Sequence, residues 1–220
     1  MKKQGKRLLI LGSIFISAFI IWTLLIQVID VQSIGANGTN VGFATINGWF
    51  HDLTGVHMEI YHITDWLGLI PIFICFIFGG VGFAQLVKKR NIFKVDYDII
   101  FLGLYYIFVI FGYLLFEMIP INYRPILIEG FLEASYPSST TLLVLCVIPT
   151  LVEQTNRRLI NNTMKKMIKV FVICFSTFMV LGRLMSGVHW LTDIVGSILL
   201  SVGLFCVYKA AVLLCCKEEK

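Results

Sequence analysis

Long apolar stretches alternate with short polar segments along the whole chain. Six runs contain no charged side chain, and they cover residues 8–29, 66–87, 99–116, 136–152, 170–182 and 194–208. The first two reach the roughly 20 residues that a helix needs to cross the hydrocarbon core of a bilayer, and the shorter ones can cross it when charged flanks extend to the interface. The pattern predicts an all-α, polytopic membrane protein with six transmembrane helices in one domain, residues 1–220.

The composition and the placement of charge exclude an ordinary soluble domain. Hydrophobic residues make up 58% of the chain and charged residues only 14%. The net charge of +5 does not indicate a nucleic-acid partner, because the basic residues cluster in alternate connecting segments: 2–7, 88–94, 157–169 and 209–220. The positive-inside rule therefore places the N and C termini in the cytoplasm. Of the 18 basic residues only Arg124 and Arg183 fall on the outer side, where topology gives no reason for them.

The outer segment between the first two runs, residues 30–65, begins with a Gly/Asn-rich stretch. Apolar residues then recur at helical spacing over residues 43–53, which predicts a short amphipathic helix in the outer membrane interface. His51, His57 and His62 also lie in this segment, but their spacings match no common metal-ligand pattern. We therefore predict neither a metal nor another cofactor.

The most informative stretch is GRLMSGVHWLTDIVG, residues 182–196, because it combines an arginine, a histidine and an aspartate in a largely apolar context. If a helix begins at Val188, the spacing of His189 and Asp193 puts both on one face. A carboxylate there can accept the proton of one imidazole nitrogen and leave the other nitrogen free to attack an electrophile. Arg183, just before a Ser-Gly pair, suggests an anionic substrate.

A second polar cluster lies in the outer loop of residues 121–140. The proline after Arg124 favours extended backbone at the arginine, so its planar guanidinium can face an oxyanion. Residues 137–140, Pro-Ser-Ser-Thr, open the fourth apolar run, and the free amides of a helix start can bind an anion. Ordinary helix capping is an equally good interpretation of these four residues alone. Glu117, near the outer end of the third run, needs a partner, and Arg124 is the expected one.

Three motifs together resemble the signature blocks of the type 2 phosphatidic acid phosphatase superfamily. They are Arg-Pro at 124–125, Pro-Ser-Ser at 137–139, and the arginine-to-HxxxD stretch at 183–193. The superfamily includes membrane lipid phosphatases and shares its fold with soluble vanadium haloperoxidases. The resemblance implies that His189 forms a phosphohistidine and that Asp193 orients it. It also implies that Arg124 and Arg183 clamp the phosphate, in a pocket lined by Ser138, Ser139 and Thr140.

Three positions depart from the pattern of that superfamily. Glu117 stands where the first block usually has lysine, Thr140 where the second usually has its general-acid histidine, and Gly182 where the third usually has serine. A missing general acid typically lowers a rate by about 10²–10⁴. Either the leaving group needs little protonation, as when a phosphate leaves from a lipid diphosphate, or another acid substitutes, such as Glu117, Glu133 or an outer histidine.

The resemblance thus implies a membrane phosphatase that acts on a lipid phosphate or a lipid (isoprenoid) diphosphate, and the charge placement predicts that its active site faces outside the cell membrane. The alternative is a family member that binds or helps to move lipid phosphates without hydrolysing them. The sequence leaves the lipid and the oligomeric state open.

Overall fold

The computed structural model describes residues 2–215, and the regular secondary structure of this part of the chain is helical. Its α-helices are α1 (Lys2–Ile26), α2 (Ala44–Thr54), α3 (Met58–Leu67), α4 (Leu69–Lys89), α5 (Tyr97–Met118), α6 (Ser139–Val147), α7 (Thr150–Arg158), α8 (Asn162–Met185) and α9 (Leu191–Cys215). Two short 3-10 turns cover Ala36–Gly38 and Ile92–Lys94. Only isolated β-bridges occur among the described residues, which confirms the predicted all-α class.

Within residues 2–215, five helical stretches are long and apolar enough to cross a membrane. They are α1, the continuous α3–α4 stretch Met58–Lys89, α5, α8 and α9. Their outer faces carry large exposed apolar side chains: Phe76 of α4 is 74% exposed and Phe108 of α5 is 64% exposed. Such faces suit lipid rather than water, and the chain is a multi-pass membrane protein.

The fourth predicted transmembrane helix is two short helices instead of one. α6 and α7 have nine residues each and meet at Ile148 and Pro149. Proline lacks the backbone N–H that would continue the ladder, and here Leu151 and Val152 donate to the carbonyls of Ile148 and Pro149, three residues back. This interruption is why five, and not six, single helices satisfy the length requirement.

The α6–α7 pair nevertheless runs from one end of the bundle to the other. At its start, the Ser138 amide donates to the Asp193 carbonyl in the first turn of α9 (3.4 Å). At its end, Arg158 pairs with Asp98 in the first turn of α5 (2.7 Å). A sixth passage composed of two helices, with cytoplasmic termini, therefore remains our prediction. The C-terminal basic residues Lys217 and Lys220 lie outside the described residues.

Helix α9 is the axis of the bundle, and α1 packs closely along it. Gly12 and Gly203 face each other where the two helices touch, since a Cβ built on Gly12 would lie 3.0 Å from the Gly203 carbonyl oxygen. Tyr136 packs against the same pair of helices: its ring stacks on Phe19 (6.0 Å between centroids) and its hydroxyl bonds the Thr23 hydroxyl of α1 (2.7 Å). These contacts fix the loop that leads into α6 above the start of α9.

The outer segment forms the predicted amphipathic helix, α2. Trp49 and Leu53 are 61% and 67% exposed, whereas Asn47 is buried. The Asn47 side chain donates to the Thr192 hydroxyl (3.0 Å) and accepts from the Thr192 amide (3.2 Å). This pair of bonds docks α2 on the first turn of α9, and α3 follows directly over the same end of the bundle.

Candidate active site

His189 lies in the short connection between α8 and α9, with only 3% of its surface exposed. Its Nδ1 is 3.2 Å from the backbone carbonyl of Ser135. A carbonyl can only accept, so Nδ1 carries the proton and Nε2 keeps its lone pair. Nε2 is buried and has no hydrogen-bond partner among the described residues. The tertiary fold thus holds the imidazole in the tautomer that a nucleophile requires.

Asp193 is fully buried in the first turn of α9. Helix α9 begins at Leu191, so the predicted helix start at Val188 is wrong and His189 precedes the helix. One Asp193 oxygen, Oδ2, accepts the Trp190 amide at 2.8 Å, in the manner of an N-terminal helix cap. The same Oδ2 is 3.7 Å from His189 Nδ1, too far for a hydrogen bond. The Ser135 carbonyl therefore accepts the hydrogen bond from Nδ1, and an orienting role of Asp193 remains a prediction.

The surroundings of His189 disfavour its protonated form. Burial, followed by the positive charges of Arg124 and Arg183, lowers the pKa of His189 well below its usual value of 6.5. The carbonyl of Ser135 opposes this effect only in part. His189 is therefore neutral at physiological pH, as a nucleophile must be.

Arg124 is held by a small antiparallel bridge between Tyr123 and Ala134 in the outer loop. Its amide donates to the Glu133 carbonyl, and its Nη2 pairs with Glu133 Oε2 at 3.1 Å. The expected pairing with Glu117 is wrong, because the bridge places Glu133 beside the guanidinium. Glu117 is instead exposed and lines a small cleft with Tyr113 and Ser139.

Arg183 occupies the last turn of α8 and is 1% exposed. Its contacts come from α3: Nη1 donates to the Thr64 hydroxyl (3.4 Å), and Nη2 is 3.5 Å from Asp65 Oδ1. Gly182 permits this packing, since a Cβ there would lie 2.6 Å from Thr64 Cγ2. The glycine at position 182, where the superfamily usually has serine, thus leaves room for the side chain of Thr64.

The residues of the Pro-Ser-Ser-Thr motif have different surroundings. Ser138 is the N-cap residue of α6, but its hydroxyl bonds Thr141 (3.0 Å) and not a backbone amide. Ser139 is half-buried in the cleft that contains Glu117. Thr140 is buried, and its methyl group lies close to Gly68, at the junction of α3 and α4. Binding of phosphate by these three residues remains a prediction.

Several buried nitrogen atoms of the site have no hydrogen-bond partner among the described residues. They are His189 Nε2, Arg183 Nε, and Arg124 Nε and Nη1. Both guanidiniums lie over the ring of Tyr61, 5.0 Å from its centroid for Arg183 and 5.7 Å for Arg124. Buried polar groups are rarely left unpaired in folded proteins. Both guanidiniums therefore lie at one aromatic ring, and their charges act on His189, so these unpaired groups suit a tetrahedral oxyanion.

Sequence reasoning missed two groups of residues around this site. Asn122 and Ser135 are 2% exposed and lie beside the Asp193 carboxylate, and the Ser135 amide donates to the Asn122 carbonyl. Tyr61, Thr64 and Asp65 come from α3. Tyr61, Thr64 and Asp65 could have been found in the sequence, because they form a polar triplet at helical spacing. No local pattern distinguishes Asn122 and Ser135.

The outer histidines do not come together. His57 Nε2 lies 2.9 Å from the Thr54 carbonyl, His62 is exposed beside Tyr61, and the His51 ring is 5.6 Å from that of Trp190. Among residues 2–215 no three His, Cys, Asp or Glu side chains form a group that could hold a metal ion.

Comparison with known proteins agrees with this architecture. Residues 117–214 match the family model of the PAP2 superfamily. No curated protein sequence gives a significant match. A transmembrane PAP2-type phosphatidylglycerolphosphate phosphatase from Bacillus subtilis has a similar crystal structure, with a TM-score of 0.66 and 15% sequence identity over 95% of this chain and 98% of that one. The matched region contains all the predicted site residues, and it confirms the resemblance to the PAP2 superfamily that the sequence motifs indicated.

Proposed function

We propose that this protein is a membrane phosphatase that removes a phosphate from a lipid phosphate or lipid diphosphate at the outer leaflet. One observation carries the proposal: His189 Nε2 and N–H groups of Arg124 and Arg183 are buried without a partner among the described residues, and both guanidiniums act on the pKa of His189. Donors that are positioned before the reaction stabilise the charge of a transferring phosphoryl group most effectively. The family match and the similarity to a transmembrane phosphatase support this assignment.

In the first step, Nε2 of His189 attacks the phosphorus atom. A P–N bond forms while the P–O bond to the lipid breaks, and the bonding electrons leave with the lipid oxygen. The imidazole becomes positively charged, and the Asp193 carboxylate 3.7 Å from Nδ1 stabilises that charge. Arg124 and Arg183 bind the phosphoryl oxygens throughout, because each has a buried N–H group without a partner among the described residues.

In the second step, water attacks the phosphohistidine from the side opposite to nitrogen. The P–N bond breaks and its electrons return to Nε2, so His189 is neutral again. The attacking water loses its protons to the solvent and to the released phosphate. The site regenerates itself without a redox partner.

Thr140 determines which leaving groups are favourable. A threonine hydroxyl cannot protonate a departing alkoxide near neutral pH, and its methyl group packs at Gly68. Of the alternative acids, Glu133 already forms a salt bridge with Arg124, and a salt bridge favours the ionised form of a carboxyl group over the protonated form that an acid needs. A lipid diphosphate avoids the difficulty because its leaving group is a lipid monophosphate that can depart as an anion. We therefore propose that diphosphates are better substrates than monophosphates.

Phosphate release from purified protein in detergent tests the proposal. The wild type should release phosphate from an isoprenoid diphosphate faster than from phosphatidic acid, since only the latter leaving group needs a proton. His189→Ala should lower release by at least about 10³-fold, because the nucleophile is lost. Lys166→Ala, at an exposed residue of the opposite end of the bundle, is the control and should keep wild-type activity.

Equal background release by the wild type and His189→Ala on all substrates would contradict an enzymatic function. The second candidate function would then apply, in which the protein binds or helps to move lipid phosphates. The carboxylates paired with both arginines favour this candidate, because they weaken the positive charge available for catalysis.

A further inference from the structure

The ring of Tyr61 contacts both candidate phosphate clamps. The central guanidinium carbons of Arg183 and Arg124 lie 5.0 Å and 5.7 Å from the ring centroid, within the range of a cation–π interaction. Tyr61 itself is 8% exposed and packs with Ile128 and Val188 in a small apolar cluster next to His189. One aromatic side chain thus joins two arginines that come from distant parts of the sequence.

Helix α3 is fixed relative to the catalytic loop, so Tyr61 has a defined position. The His57 amide, just before α3, donates to the Ser186 carbonyl at 3.0 Å. One turn after Tyr61, Thr64 and Asp65 contact Arg183. The backbones of Gly187 and Gly55 also meet closely, since a Cβ on Gly187 would lie 2.1 Å from the Gly55 carbonyl oxygen.

The geometry points to Tyr61 as a positioning residue that sets the spacing of Arg124 and Arg183 for one phosphoryl group. This inference rests on the proposed function, since it assigns both arginines to phosphate. Two buried cations repel each other, and the negative face of an aromatic ring offsets that repulsion. The carboxylates of Glu133 and Asp65 hold one edge of each guanidinium. The ring then fixes the two planes while the remaining N–H groups stay free for the ligand.

The ring, and not the hydroxyl, carries this role. Among residues 2–215 the Tyr61 hydroxyl has no hydrogen-bond partner, so phenylalanine can replace tyrosine without leaving a protein group unpaired. Leucine keeps a similar apolar volume but lacks the quadrupole that attracts the guanidiniums. The pair Tyr61→Phe and Tyr61→Leu therefore separates cation–π positioning from simple packing.

Two measurements on the full-length protein in detergent test the inference: the Kd for inorganic vanadate and the kinetics on a lipid diphosphate. Tyr61→Leu should raise the vanadate Kd and KM by about 10- to 100-fold, from the loss of two cation–π contacts, with kcat changed much less. Tyr61→Phe should stay within about 3-fold of the wild type, because the ring remains. Tyr97→Leu, at an exposed tyrosine in the first turn of α5, is the control for the substitution itself.

The outcomes distinguish the inference from the proposed function. If Tyr61→Leu lowers only the melting temperature and leaves Kd and KM unchanged, or if Tyr61→Phe is as impaired as Tyr61→Leu, the positioning role is overturned. If the wild type releases no phosphate but binds vanadate more tightly than Tyr61→Leu does, the positioning role stands and the enzymatic function fails. A double variant, Tyr61→Leu with Arg183→Gln, should lose less than the sum of the two single effects, since the ring acts through the arginine.

Discussion

At the scale of single residues, the candidate nucleophile His189 is held by the carbonyl of Ser135 and not by the carboxylate in its own motif. From the spacing we expected Asp193 to accept a hydrogen bond from the imidazole. In the structure the carbonyl of Ser135 accepts this hydrogen bond instead. The partner of Arg124 was likewise expected to be Glu117 and is Glu133. Both differences arise because the loop of residues 121–138 folds back on itself, and a residue motif contains no information about that turn.

The pH dependence of His189 follows from its surroundings. Burial and two neighbouring cations lower its pKa, so the neutral form persists to well below pH 6.5. The acid limb of kcat/KM should therefore fall well below pH 6.5, with activity present above the folded-state pKa of His189 and lost as the pH falls through it. The pH–rate profile on a lipid diphosphate measures this limb, and an NMR titration of the His189 ring, assigned with His189→Ala, checks its origin. An acid limb at or above pH 6.5 would contradict the expected shift.

At the scale of elements, α3 contributes to the site although the sequence analysis predicted no site residue in it. This helix is ten residues long and joins α4 at Gly68. In the sequence it resembles the polar end of a transmembrane helix. In the fold it supplies Tyr61, Thr64 and Asp65 to the site. Its packing against α8 requires a glycine at position 182, because the methyl group of Thr64 fills the space that a side chain there would need.

Gly182→Ala tests that packing. Alanine normally favours a helix over glycine by about 1 kcal/mol, but here its Cβ would lie 2.6 Å from Thr64 Cγ2 and push α3 from α8. We expect a destabilisation of about 1–3 kcal/mol, typical of overpacking, together with weaker vanadate binding. Thermal unfolding in detergent and vanadate titration measure the two effects.

Two further variants complete the test of the contact between α3 and α8. Gly182→Ala combined with Thr64→Ser should recover much of the lost stability, since serine lacks the clashing methyl group while keeping the hydroxyl that binds Arg183. Gly103→Ala, in a helix position where a Cβ meets nothing within 4 Å, should be neutral or stabilising. A Gly182→Ala protein as stable as Gly103→Ala would show that the two helices do not meet as described.

At the scale of the whole molecule, the charge distribution and the site agree on one orientation. The connections 27–43, 119–138 and 186–190 lie at the end of the bundle that holds the site, and the basic segments 88–96 and 157–166 lie at the other. Because basic segments favour the cytoplasm, the site end should face outside. The substrate would then be a lipid of the outer leaflet.

Labelling of single cysteines in intact cells tests this orientation. In a background without native cysteines, Ser33→Cys should react with a membrane-impermeant maleimide, because residue 33 is exposed at the site end. Thr163→Cys, exposed at the basic end, should react only after the membrane is permeabilised. The reverse pattern would overturn the outer-leaflet assignment while leaving the chemistry of the site intact.

The all-α class, the multi-pass membrane architecture and the resemblance to the superfamily were determined by the sequence alone. Hydrophobic run length and charge placement act locally along the chain, and the signature motifs are local as well, so each can be read without a fold. Only the tertiary structure decided that Ser135 fixes the His189 tautomer, that Glu133 pairs with Arg124, and that Tyr61 lies under both arginines. These contacts join segments distant in the chain, and their geometry depends on how the helices pack and where the loops turn.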